Sequence, residues 1–94
     1  MMDNIKETLI ERGSRYGSFE DNARLVQSLY LIFLDAGGTY LSDMHREAVH
    51  MIFHKIARMT VGDSFYADNV HDIVGYAQLL EKYIISVNEK CDVK

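Results

Sequence analysis

The chain has 94 residues, a formal net charge of −4, 48% hydrophobic residues, one cysteine and no proline. That length supports one domain with one small core, for which oligomerisation is the expectation. The lone Cys91 excludes an intramolecular disulfide or a cysteine-based zinc site, and acidic and basic residues are too interleaved to form the basic stripe that general nucleic-acid binding needs.

No apolar run is long enough to cross a bilayer, and the N-terminal MMDNIKETLIERG lacks the charged-then-apolar layout of a signal peptide. A cytoplasmic protein without a membrane partner is expected. In chain order, residues 3–11 carry Ile5, Leu9 and Ile10 at helical spacing behind Asp3 or Asn4 as a cap. Residues 12–17 (RGSRYG) read as a tight turn, because two glycines bracket Ser-Arg-Tyr. Ser18 then caps a second helix to about Asp35, with Glu20 and Asp21 suiting its positive end. Its stripe is Ala23, Val26, Leu29, Tyr30, Phe33 and Leu34, widened by Leu25, Leu31 and Ile32. That breadth predicts the central helix or an oligomer interface.

Ser42 or Asp43 caps a third helix over 43–60, with Met44, Ala48, Met51, Ile52 and Ile56 inward. After Val61-Gly62-Asp63-Ser64, a fourth helix runs from about 66 to 89 with Val70, Ile73, Ala77, Leu80, Ile84 and Val87 inward. The expected fold is all-α, a compact bundle of about four main helices in a single domain spanning 1–94, with oligomer formation expected.

The chemistry-bearing residues gather on the last two helices. Glu47, His50 and His54 stand at i, i+3 and i+7, with Lys55 and Arg58 beyond them, and Asp68 and Asp72 are one turn apart ahead of Tyr76. Buried charge in so small a core must pair, bind metal or hold a ligand. Three readings stay open. Glu47, Asp68 and Asp72, with His50, can serve Mg²⁺; the single Glu-x-x-His falls short of a di-iron site, which needs two copies and two more glutamates. Arg12, Lys55 and Arg58 can hold phosphates while Tyr16 or Tyr76 stacks on a base. Lys55 and Arg58 can instead pair with Glu47, Asp68 or Asp72 and fix helix register.

Three stretches in order carry a resemblance: ERGSRYGSFEDNA (11–23), HREAVHMIFHKIARM (45–59) and YADNVHDIVGYAQLL (66–80). They resemble a family of small phage and prophage proteins of unknown function with RG-x-x-YG-x-F, RE-x₇-KI-x-R and D-x-x-x-D-I-x-GYA motifs. A looser similarity reaches the all-α NTP pyrophosphatases, MazG-like bundles that hold Mg²⁺ between an E-x-x-E helix and an E-x-x-D helix. That resemblance implies a nucleoside triphosphate pyrophosphohydrolase in which Glu47 belongs to the first carboxylate helix and Asp68 with Asp72 to the second, Glu47 and Asp72 being catalytic, while Lys55 and Arg58 bind the phosphates. Two departures stand out: position 50, where the second acid of E-x-x-E falls, is histidine, and D-x-x-x-D moves one carboxylate by about 100° around the helix relative to E-x-x-D. The alternative implied is a phage protein that binds or sequesters a nucleotide in a bacterial host without hydrolysing it.

Overall fold

The computed structural model describes residues 15–92, and the expected helix over 3–11 lies outside them. Three long helices make up the described fold, α1 (Phe19–Asp35), α2 (Asp43–Val61) and α3 (Ala67–Asp92), with a short 3₁₀ turn at Gly38–Tyr40 between the first two. No strand occurs among the described residues, and none of their helices is long and apolar enough to cross a membrane.

Serine caps start the first two helices as their sequence predicts. Ser18 is extended (φ −71°, ψ 135°) and its hydroxyl accepts the Asp21 N–H at 3.2 Å; Ser42 accepts the His45 N–H in the same way. Each satisfies one of the otherwise unpaired amides of a helix start. Arg24 reaches back to Glu20 and Asp21, and Arg46 to Asp43 and to the Thr39 carbonyl, so the first turns carry paired charge. α1 ends at Ala36, and Gly37 takes φ +128°, a conformation that a side chain would strain, to turn the chain towards α2.

α2, not α1, is the central helix, because it packs against both of the others. The breadth of α1's apolar face predicted either the central helix or an oligomer interface; the first does not hold, and Leu31 and Ile32 are exposed. Lys55 meets Asp72 and His45 meets Tyr83. Stepping back along α2 from 55 to 45 therefore advances along α3 from 72 to 83, and the two helices form an antiparallel hairpin. On its other side α2 runs antiparallel to α1, with Val61 against Gly17 at one end and Tyr30 against His50 further along.

Among the described residues the buried interior is small: Val26, Ala48 and Ala57, with Lys55 and Asn69 as its polar members. Met44, Val70 and Ala77, predicted inward, are exposed, as are Ile84 and Val87 on the far half of α3. On α3 the buried arc is centred on Asn69, Ile73, Tyr76 and Leu80, roughly a quarter-turn from the stripe that Val70 and Ala77 define. Polar Asn69 at the centre of that arc is what pulls the apolar count away from the true inward direction.

Candidate functional site

The site is built where the chain crosses the end of α2. Arg15 and Tyr16 are helical, and the turn predicted over 12–17 is taken at Gly17. Gly17 has φ +79°, and a Cβ there would strike the Val61 side chain and backbone. Gly62 faces the backbone of residues 15–17 so closely that a Cβ would overlap it. The Asp63 N–H donates to the Arg15 carbonyl at 2.8 Å. Asn22 completes the clamp, its Nδ2 donating to the carbonyls of Tyr16 at 2.5 Å and Ser18 at 2.8 Å.

This clamp sets four side chains in a ladder. The Arg58 guanidinium lies over the Tyr16 ring at 4.6 Å, Tyr16 meets Tyr66 edge-on at 6.0 Å, and the Arg15 guanidinium covers Tyr66 at 4.6 Å. A guanidinium stacked on a ring keeps its N–H groups in the plane, available to an anion. No carboxylate pairs with Arg58 among the described residues, and the ion pairs found there use Arg24, Arg46 and Lys55.

Beside the ladder opens a cavity of about 650 Å³, within the range of small-molecule sites. Ala23 and Val26 supply apolar surface, Tyr16 and Phe19 supply rings, and His54 and Arg58 supply the nitrogen groups. Burial first, then the cationic neighbours His50, Arg58 and Lys55, hold the His54 pKa below its ordinary 6.5, with Glu47 pulling the other way. His54 is thus a neutral imidazole near pH 7 that gains reason to take a proton when an anion arrives. His50 lies behind it, between the rings of Tyr30 at 4.4 Å and His54 at 4.9 Å, with Nε2 buried and unpartnered.

The acids are elsewhere. Lys55 is buried and its ammonium sits 3.0 Å from Asp72 on the α3 side of α2. Asp68 is exposed and hydrogen-bonds Tyr66, lifting that phenol's pKa above its ordinary 10. Glu47 is exposed. Tyr76 and Asp72 line a shallow groove of about 430 Å³ along α3, separate in its lining from the first cavity. Among the described residues, no three carboxylate, imidazole or thiol groups stand close enough to hold a metal ion. Glu47, His50, Asp68 and Asp72 are therefore not gathered into one preformed ligand set.

Of the residues expected at the nucleotide, Tyr16 and Arg58 come together, Lys55 is committed to Asp72, Tyr76 lies in the α3 groove, and Arg12 lies outside the described residues. Phe19, Asn22, Val26 and Gln27 line the cavity without having been singled out as site residues. Their signal was the i, i+3, i+7, i+8 spacing from 19, which reads equally as ordinary core. His54 and Arg58, one turn apart on α2, were the stronger clue.

The chain belongs to the family described as a domain of unknown function, DUF6378, which matches residues 1–84. No curated protein and no solved structure matches it.

Proposed function

We propose that this member of the DUF6378 family binds a nucleotide or another small phosphorylated ligand in the cavity beside Tyr16 and Arg58, and that binding rather than hydrolysis is its work. The observation that carries this reading is Arg58: a guanidinium stacked on Tyr16 at the wall of a largely apolar cavity, with no carboxylate partner among the described residues. A cation so placed is best satisfied by an anion from outside. The rings of Tyr16 and Phe19 offer a base a stacking surface. The similarity of the sequence to the all-α NTP pyrophosphatases and to small phage proteins supports the nucleotide as ligand, and a bacterial host's cytoplasm as its setting.

Calorimetric titration with a panel of nucleoside mono-, di- and triphosphates, in the presence of a chelator, tests the proposal. At least one binds, and Arg58→Ala weakens it by about tenfold or more, the loss of a charge-assisted pair, while far-ultraviolet circular dichroism stays helical. Equal binding by wild type and Arg58→Ala, or none by either, sinks it.

A second reading, the Mg²⁺-dependent pyrophosphohydrolase, draws support from the groove where Asp72 and Tyr76 meet. It requires Asp72 to leave Lys55 and Glu47 and Asp68 to be brought to it. Its test is pyrophosphate release from the same panel with Mg²⁺ or Mn²⁺, abolished in Asp72→Asn. The exposed Leu31, Ile32, Val74, Leu79 and Ile85 support the oligomer expected from the chain length, which sedimentation velocity measures directly.

A further inference from the structure

The cationic equipment of the cavity limits how much phosphate it can take. Among its described lining residues, Arg58 and His54 are the two that can carry positive charge. Lys55, the next cation along α2, is buried and held by Asp72 of α3. Arg15 lies over the Tyr66 ring, one aromatic side chain further from the cavity. The remaining wall is apolar or aromatic, apart from uncharged Ser18, Asn22 and Gln27. A triphosphate brings about four negative charges and is ordinarily met by several cations or by metal. One guanidinium and one imidazole match a single phosphate dianion.

We propose that the ligand class is a nucleoside monophosphate, its one phosphate held jointly by Arg58 and by His54 in protonated form, with the nucleoside against the apolar wall and the Tyr16 and Phe19 rings. This deepens the binding function proposed above and rests on it.

The geometry makes His54 the specificity element. It stands one turn before Arg58 on α2, so the two side chains project to the same side and can share one phosphate. The groups that act on it are His50, Lys55, Arg58 and Glu47 from α2 itself. From the α1 side the cavity presents the phenol of Tyr16 and otherwise only uncharged side chains. From α3 the nearest paired carboxylate, Asp72, is bound to Lys55. In the free protein burial first, and then three cationic or cation-forming neighbours against one exposed acid, lower the His54 pKa. A dianion at Arg58 reverses that balance, so the ligand arrives with a proton taken from solvent.

The experiment is calorimetric titration at pH 7.5 in two buffers of different ionisation enthalpy. The ligands are the ribo- and deoxynucleoside 5′-monophosphates, the matching triphosphates with and without Mg²⁺, ribose 5-phosphate and inorganic phosphate. The expected result is that one or more monophosphates bind at least about tenfold more tightly than the matching triphosphate. Binding takes up a fraction of a proton, seen as a buffer-dependent enthalpy. Ribose 5-phosphate and inorganic phosphate bind more weakly, since they leave the apolar wall empty. His54→Gln removes the proton uptake and narrows the preference, while Arg58→Ala removes binding. Triphosphates binding as tightly as monophosphates, or monophosphates binding without proton uptake, overturn this inference and leave the binding function standing. Tighter binding of ribose 5-phosphate overturns the nucleoside as ligand. Absence of binding by every nucleotide overturns both.

Discussion

The two faces of α2 are built on opposite plans. Towards α3 it presents Ala48 and Lys55, two turns apart on one side, and the hairpin closes on an ion pair with Asp72. Towards α1 it props rings on rings, His50 on Tyr30 at 4.4 Å and Phe53 on Phe33 at 6.1 Å, with His54 beside His50. The closed face uses its charges to fix register. The propped face leaves a cavity and an arginine with no acid partner among the described residues. One helix thus separates a paired charge set from a cavity-facing one, although both read as a single charged stripe in the sequence.

The comparison breaks most severely where the two faces end. Gly62→Ala puts a methyl group into the backbone of residues 15–17 and is expected to cost about 3 kcal/mol, as overpacking against atoms that cannot rotate away does. Urea unfolding measures that loss, and a cost near zero means that the clamp is loose. On the closed face, Asp72→Ala leaves the buried Lys55 ammonium unpaired. It is expected to cost about 2 kcal/mol, less than a fully buried pair because Asp72 is itself half-exposed. Nucleotide affinity should be unchanged by it, whereas a loss of affinity would move the ligand site to α3.

On the propped face, Tyr30→Leu removes the ring stacked on His50. A loss of roughly 1 kcal/mol is expected, with a change in ligand affinity as the cavity wall shifts. The smallest effect is on pH dependence. The folded-state pKa of His54 lies below its unfolded value of 6.5, so the unfolded chain takes up the proton first. His54's contribution is therefore fully present above that value, and stability declines as pH falls through 6.5 towards the folded pKa. His54→Gln should flatten that part of the stability–pH curve, and an unaltered curve would show that His54 titrates alike in the folded and unfolded chain.

Much of the fold was legible because caps and periodicity are local. Ser18 marks its helix start to the residue, Ser42 was one of the two caps offered for the next, and the connection expected over 61–64 falls over 62–66. The identity of the central helix was not legible, since a broad apolar face such as α1's looks the same whether it meets one neighbour or two. At the site, Tyr16 and Arg58 were recognisable as ligand-type residues. That they stack on each other depends on Gly17 and Gly62 approaching across 45 positions, and no local pattern encodes such an approach. The division of labour among the acids was equally hidden. Asp68 and Asp72 share helical spacing, but only Asp72 falls opposite Lys55 in the α2–α3 register, and that register is a property of the hairpin.

The short link over 62–66 also has a bearing on how the native molecule breathes. It joins α2 and α3 almost directly, so their pairing involves a small loop and closes early and cheaply, whereas α1 docks along a seam already interrupted by a cavity. Amide hydrogens of α1 should accordingly exchange with solvent sooner than those in the α2–α3 hairpin, as one cooperative unit. The opening that admits a ligand and the first step of unfolding would then be the same motion, and a bound ligand would slow exchange along α1 before anywhere else.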